Sequence, residues 1–273
     1  MIKMKKISII SIGTVAFIVA IIVGCGKVVL NYGDVQLLDN TKATIKINNE
    51  SLYSNNRSFF YKINDVRVSG LFTARSPFPG GGYNTGGNNT ADVLQVPAGS
   101  IKLSVVLPHK IDNGTDSVVL YTTTLQLEGG QSYTVHMADT AANTQTLLTK
   151  ENLTLTDSSY CRVHFVNLMP NVPNVDVYYG TAATTVTDQS TDSLFVGNLA
   201  YMKSSDDIRF KMNGANRIWK IRVAGAAKTN NVLASYTSTS VPTSQRVFVG
   251  FALGYNGKTT TVQKPYISFI LLR

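Results

Sequence analysis

Residues 160–180 read YCRVHFVNLMPNVPNVDVYYG. In the first eight of these, Cys161, Val163 and Phe165 alternate with Arg162, His164 and Val166. Successive side chains of a strand point to opposite faces, so this spacing predicts a strand over 160–167 with an apolar inner row and a mostly polar outer one. A second alternating segment follows at 174–179 (NVDVYY). Outward from this pair the same pattern recurs at 43–49 (ATIKINN), 100–107, 117–127, 132–138, 206–212, 217–224, 245–255 and 258–271. Turn chemistry separates the segments, as at Pro97-Ala98-Gly99, Glu128-Gly129-Gly130 and Asn256-Gly257. Short alternating strands at regular spacing predict an all-β sandwich or barrel.

The pattern occurs twice. Ala43 to Asn49 lines up with Cys161 to Asn167, Ser100 to Leu103 with Asp207 to Phe210, and Gln131 to Val135 with Gln245 to Val249. Two units of about 115 residues each suit two immunoglobulin-like sandwiches of about 100 residues. The expected order is 1–24 signal peptide, 25–40 tether, 41–156 first sandwich and 157–273 second sandwich.

The first 24 residues carry Lys3, Lys5 and Lys6 ahead of an uncharged, mainly apolar run from Ile7 to Gly24. A basic start, an apolar middle and a small residue at the end describe an export signal. Cys25 follows Ile22-Val23-Gly24, the arrangement of a lipobox. Cys25 is therefore the expected site of lipidation and cleavage, with a diacylglyceryl group giving stable membrane attachment. No acidic run follows Cys25 before Asp34, which favours the periplasmic face of an outer membrane over the cell surface.

The chain has 273 residues, 44% of them hydrophobic, and a formal charge of +9. Three of the basic residues lie in the signal, leaving +6 for the remainder. No dense basic run accompanies that charge, so nucleic acid is not an expected partner. Arg209, Lys211, Arg217, Lys220 and Arg222 fall on alternating segments and are expected to line a solvated sheet face. With Cys25 lipidated, Cys161 is the one cysteine left. The fold then has no disulfide, and Cys161 is expected as a small core residue.

Candidate chemistry is sparse. His109, His136 and His164 have no histidine or cysteine partner at metal-ligand spacing, and His136 and His164 are expected on polar strand faces. Asp206 and Asp207 would point to opposite faces of a strand, which rules out joint action on one bond. ALGYNGKT at 252–259 lacks the first glycine of a phosphate-binding loop. Flanking strand patterns make Asn256-Gly257 a two-residue hairpin turn instead. Trp219 shares a face with Ile221 and Val223 and is expected in the core. The Gly/Asn-rich insert Ser76 to Asn89 cannot bury apolar surface. Its Phe78, Tyr83 and Asn84 are the candidate ligand-contact residues of a surface loop.

Residues 160–180 resemble the opening of the domain of unknown function 4397 family, on Phe165-Val166-Asn167, Pro170, Pro173, Val175-Asp176-Val177-Tyr178 and Gly180. Residues 59–63 and 65–70 stand where the family has its second strand, and 146–148 with 152–154 resemble its unit ending. The resemblance implies exported, lipid-anchored tandem β-sandwiches in a bacterial envelope, with no catalytic residues and no cofactor. Pro170 and Pro173 fix a turn; Val175 and Val177 pack inward. The expected function is that of a non-enzymatic binding or structural accessory with glycan or envelope-protein partners. An envelope hydrolase with a loop-borne site is the alternative.

Overall fold

The computed structural model describes residues 39–51, 57–80, 91–181, 192–211, 217–226, 232–238 and 244–273. Residues Leu38–Arg273 form one compact unit. It contains sixteen strands among the described residues, and no helix there is long and apolar enough to cross a membrane.

The first eight strands are β1 (Lys42–Asn49), β2 (Phe60–Ile63), β3 (Val66–Arg67), β4 (Leu94–Pro97), β5 (Gly99–Pro108), β6 (Asp116–Leu127), β7 (Ser132–Ala138) and β8 (Gln145–Lys150). The second eight are β9 (Tyr160–Leu168), β10 (Asn174–Thr181), β11 (Ser193–Ala200), β12 (Ile208–Lys211), β13 (Arg217–Val223), β14 (Ala234–Ser238), β15 (Val247–Leu253) and β16 (Tyr266–Leu271). They form four sheets, ordered β4-β1-β7-β8 and β3-β2-β5-β6 in the first sandwich, and β12-β9-β15-β16 and β11-β10-β13-β14 in the second.

The two sandwiches thus share one strand order. It places four strands over four, with a parallel pair, β1 with β7 and β9 with β15, at the centre of one sheet. The constant-type immunoglobulin arrangement has four strands over three with a different order. The sandwich class is as expected, and the wiring is its own.

This order corrects two of the internal matches. Strand β5 corresponds to β13, while β12 corresponds to β4, so Ser100 to Leu103 and Asp207 to Phe210 are not equivalent. The third match slips by one residue. Ile47 pairs with Val135, and its counterpart Phe165 pairs with Gly250. Gly250, not Val249, is therefore the equivalent of Val135. A one-residue slip exchanges the faces of a strand. It was hidden because β15 is buried on both faces and shows no polar alternation.

Gly250 has a steric reason. A Cβ there would lie 2.6 Å from Cζ of Phe165. The second sandwich fills with one large ring and no side chain the space that Ile47 and Val135 share in the first. That ring belongs to an aromatic core around Trp219, whose centroid is 5.2 Å from Phe165, 4.9 Å from Phe195 and 4.4 Å from Tyr179. Cys161 lies in the same core, and burial pushes its thiol up to about 12.

The Asn256-Gly257 turn is also different. Strands β15 and β16 form the expected antiparallel hairpin, but Leu253 pairs with Tyr266. Residues 254–265 connect them, in place of a two-residue turn.

Candidate functional site

A third core lies between the sandwiches. Val166, Leu168, Val249, Phe251, Leu253 and Ile270, on the outer face of the β12-β9-β15-β16 sheet, pack with Ala138 and Leu147 of the first sandwich. Strand β15 is therefore apolar on both faces because both faces are covered. Burying one such side chain contributes about 1.5–3 kcal/mol. The ring of Phe251 meets that of His136, centroids 6.3 Å apart. These two residues occupy equivalent positions on β15 and β7, so matching outer faces meet one another.

The face offered by the first sandwich is polar. Lys46, Asn48, Thr134 and His136 are all buried there. Each needs partners once removed from water. Lys46 donates from Nζ to the carbonyls of Pro79 and Gly80, both at 2.9 Å, and burial lowers its ammonium to about 8. Asn48 Nδ2 lies 3.1 Å from His136 Nδ1, and His136 Nε2 lies 3.3 Å from Thr149 Oγ1. Thr149 donates to Glu151 Oε1 at 2.8 Å. This run of donors assigns the neutral His136 tautomer with its proton on Nε2. Burial pushes His136 down to about 3, and the charge of His164 acts in the same direction.

The run continues into the second sandwich as charge. Glu151 Oε2 faces His164 Nε2 at 3.6 Å, and His164 Nδ1 faces Asp207 Oδ1 at 3.4 Å. Arg162 stands 3.6 Å from the other oxygen of Asp207. Burial alone would lower His164, but the hydrogen bond to Asp207 and the charges of Glu151 and Asp207 outweigh it and hold the imidazole above its ordinary value. Burial raises the Glu151 carboxyl against the pull of His164. Asp207 is held low, first by its hydrogen bond with His164.

Other contacts clamp the same junction. Arg75 donates to the carbonyls of Thr261 (3.2 Å) and Lys264 (3.3 Å), and Tyr255 donates to Asp139 at 3.0 Å. Arg162 and Arg273 donate to the carbonyls of Thr154 and Leu153 in the connecting segment.

Two open grooves flank that segment, each walled by both sandwiches. One, of about 330 Å³, runs between Leu147–Lys150 and Ser204–Asp207, with His164 at its base. The other, of about 580 Å³, lies between Gly130–Ser132, Lys150–Thr154 and Arg273. Hydroxyls, amides, carboxylates, Lys150 and Arg273 line them together with Leu147, Leu148 and Leu153, a mixed surface able to hydrogen-bond a polar ligand. In the smaller groove Ser204 donates to the Ser205 carbonyl and Ser205 to the Asp206 carbonyl. Both imidazole nitrogens of His164 face carboxylates. No serine hydroxyl is thus paired with the imidazole, as nucleophilic catalysis would require.

The residues singled out in the sequence are placed differently. Cys25, Ile22, Val23, Gly24, Tyr83 and Asn84 lie outside the described residues. Phe78 is a core residue, not a contact residue: it is 8% exposed, exchanges backbone hydrogen bonds with Ile47 and packs against Tyr61 and Phe72. His136 and His164 do lie on the outer faces of their strands, but those faces are buried in the junction. Lys220 and Arg222 are not solvated. Both are fully buried and bonded to Asp192, and Arg222 also stacks over Tyr178. Arg209 is half-exposed, stacked on Tyr160 and paired with Asp157. Trp219 and Ile221 are in the core as expected, whereas Val223, at the end of its strand, is 42% exposed. Glu151 and Thr149 were not anticipated. Their signal was indirect: a strand such as VFVGFAL, apolar on both faces, needs a covering layer on each.

Residues 83–178 match the model of a family described as a domain of unknown function (DUF4397). The matched DUF4397 segment begins in the first sandwich and ends within β10, so it straddles the junction. The motif at 160–178 closes it rather than opens it. No curated protein matches the chain in sequence. Among solved structures, one described as α-glucan binding by a streptococcal virulence factor is 9% identical with a TM-score of 0.24, covering 82% of this chain and 96% of that one. Streptococcal family 41 carbohydrate-binding modules recognising α-glucan are 10% identical with a TM-score of 0.25, at the same coverage. A candidate cell adhesion protein from Parabacteroides distasonis is 8% identical with a TM-score of 0.23, covering 85% and 98%. At such scores these likenesses carry no functional assignment for this chain.

Proposed function

We propose that this chain is a non-catalytic binding module of the cell envelope. Lipid on Cys25 holds it at the periplasmic face of the outer membrane. It presents a glycan, or the polar surface of an envelope protein, with the groove between its two sandwiches. The observation that carries this reading is the smaller groove, in which Thr149 and Lys150 of one sandwich oppose Ser204, Asp206 and Asp207 of the other. The Ser204 hydroxyl and the carboxylates of Asp206 and Asp207 border that polar space together with Lys150, whose ammonium is paired with Glu128, and the junction fixes their spacing. Preorganised polar groups favour a ligand rich in hydroxyls, since little ordering remains to be done on binding.

A glycan array probed with the purified protein, followed by calorimetry on each hit, tests this. Asp206→Ala and Lys150→Ala should each weaken binding about tenfold or more, the loss of one good hydrogen bond to a charged group, with the far-ultraviolet spectrum unchanged. Binding that survives both substitutions would place the ligand elsewhere. The lipid is tested separately by labelling with palmitate, which Cys25→Ala should abolish.

A further inference from the structure

Strand β6 is the longest strand among the described residues, with twelve, and it lies at the edge of its sheet. From Ser117 to Leu127 it carries no charge, no proline and no glycine. Edge strands are ordinarily shielded by charge, proline, short length or a cover, because their outer backbone groups template a new strand. The equivalent edge of the second sandwich, β14, follows that practice with only five residues. Two register shifts leave Ser117 and Leu120 bulged, beyond which Tyr121–Leu127 pair regularly with β5. Val118 and Val119 are 52% and 51% exposed, and Thr122, Thr124 and Gln126 are exposed as well.

The unpaired groups of an edge are backbone donors and acceptors, so the matching partner is an extended strand. The composition of β6 points to a second copy of itself. Antiparallel pairing about a two-fold axis within Thr122–Thr124 sets threonines against threonines, a favoured cross-strand combination. Neither end brings net charge to the pairing. Asp116 is paired with Lys62 at 2.9 Å and Glu128 with Lys150 at 2.6 Å. Antiparallel pairing brings the Asp116 end of one copy to the Glu128 end of the other, where two neutral ion pairs meet. We propose that β6 is a self-association edge, through which two copies join their four-stranded sheets into one of eight strands. Such an interface is closed and two-fold, the commonest form of oligomer.

The test is disulfide trapping and sedimentation of the full-length protein in detergent. Thr122→Cys, Thr123→Cys and Thr124→Cys are made one at a time, with Thr237→Cys on β14 as the control. At least one of the β6 variants should give a cross-linked dimer under mild oxidation, and the control none. Wild-type protein should show a concentration-dependent dimer. Thr122→Lys with Thr124→Lys, whose exposed side chains leave folding intact by amide exchange of β1 and β5, should weaken it at least tenfold. A monomer at all concentrations with no cross-link from the three β6 variants overturns the proposal. So does a dimer unaffected by the two lysines. Neither result bears on the junction groove.

Discussion

The two sandwiches have the same strand order and opposite solutions at matching positions. In the first, Ile47 and Val135 share the centre of the core; in the second, Phe165 takes the space and Gly250 yields it. On the outer faces, Thr134 and His136 answer to Val249 and Phe251. The first sandwich brings buried polar groups to the junction and the second brings apolar ones. On the other sheet the contrast persists. Lys62 and Asp116 form a pair open to water, while Lys220 and Arg222 bind Asp192 with no exposure at all. One wiring therefore tolerates different fillings, provided each position is balanced against the neighbour it meets.

The sharpest way to break the comparison is at Phe251. Phe251→Ala opens a cavity in the junction core and should cost about 4 kcal/mol, measured by urea unfolding. It should also expose residues 151–159 to limited proteolysis. Next comes the buried ion cluster. Asp192→Asn removes the buried carboxylate that both cations bind and should cost about 3 kcal/mol, whereas Asp116→Asn in the first sandwich should cost under about 1 kcal/mol. Equal losses would mean that the buried cluster is not what separates the two sheets.

A third prediction exchanges one solution for the other. Gly250→Val overpacks the second core and should cost about 2 kcal/mol. Combined with Phe165→Ile it recreates the pair of the first sandwich, and the double variant should be more stable than the sum of the single losses predicts. Strict additivity would show that the two positions do not share space.

The effects of pH separate the two junction histidines, which act in opposite directions. His136 is held down at about 3 in the fold, against about 6.5 unfolded. Its neutral form contributes stability that is present above pH 6.5 and lost as pH falls toward 3. His164 is held above its ordinary value. Its contribution is present in full below about pH 6.5 and is lost as pH rises through the raised value. The raised carboxyl of Glu151 acts with the same sign, its share being lost as pH rises through its own raised value. His136→Gln should flatten the acid limb of a melting-temperature profile, and His164→Gln the neutral-to-alkaline one.

The strands of this fold were legible where one face meets a core and the other meets polar groups. The segments at 43–49, 132–138, 160–167 and 217–224 correspond to β1, β7, β9 and β13 within a residue or two. Edges such as β11 and β14 were not, because an edge strand is defined by its neighbour more than by its own composition. The junction was illegible for a related reason. Polar residues at alternating positions, such as Lys46, His136 and Lys220, predict solvent on a single sheet. Only the second sandwich or a distant carboxylate reveals that they are buried. Phe78 misled in the same way, since a Gly/Pro-rich surrounding concealed a β-bridge to Ile47.

The two sandwiches form one compact unit. Trp219 is the only tryptophan in the chain and lies in the core of the second sandwich, so its fluorescence reports that half alone. Amide exchange of β1 and β5 reports the first. Followed together through a urea titration, the two should unfold in a single coincident transition, and Phe251→Asp should separate them. Two resolved transitions in the unaltered protein would contradict the fused junction on which the binding groove depends.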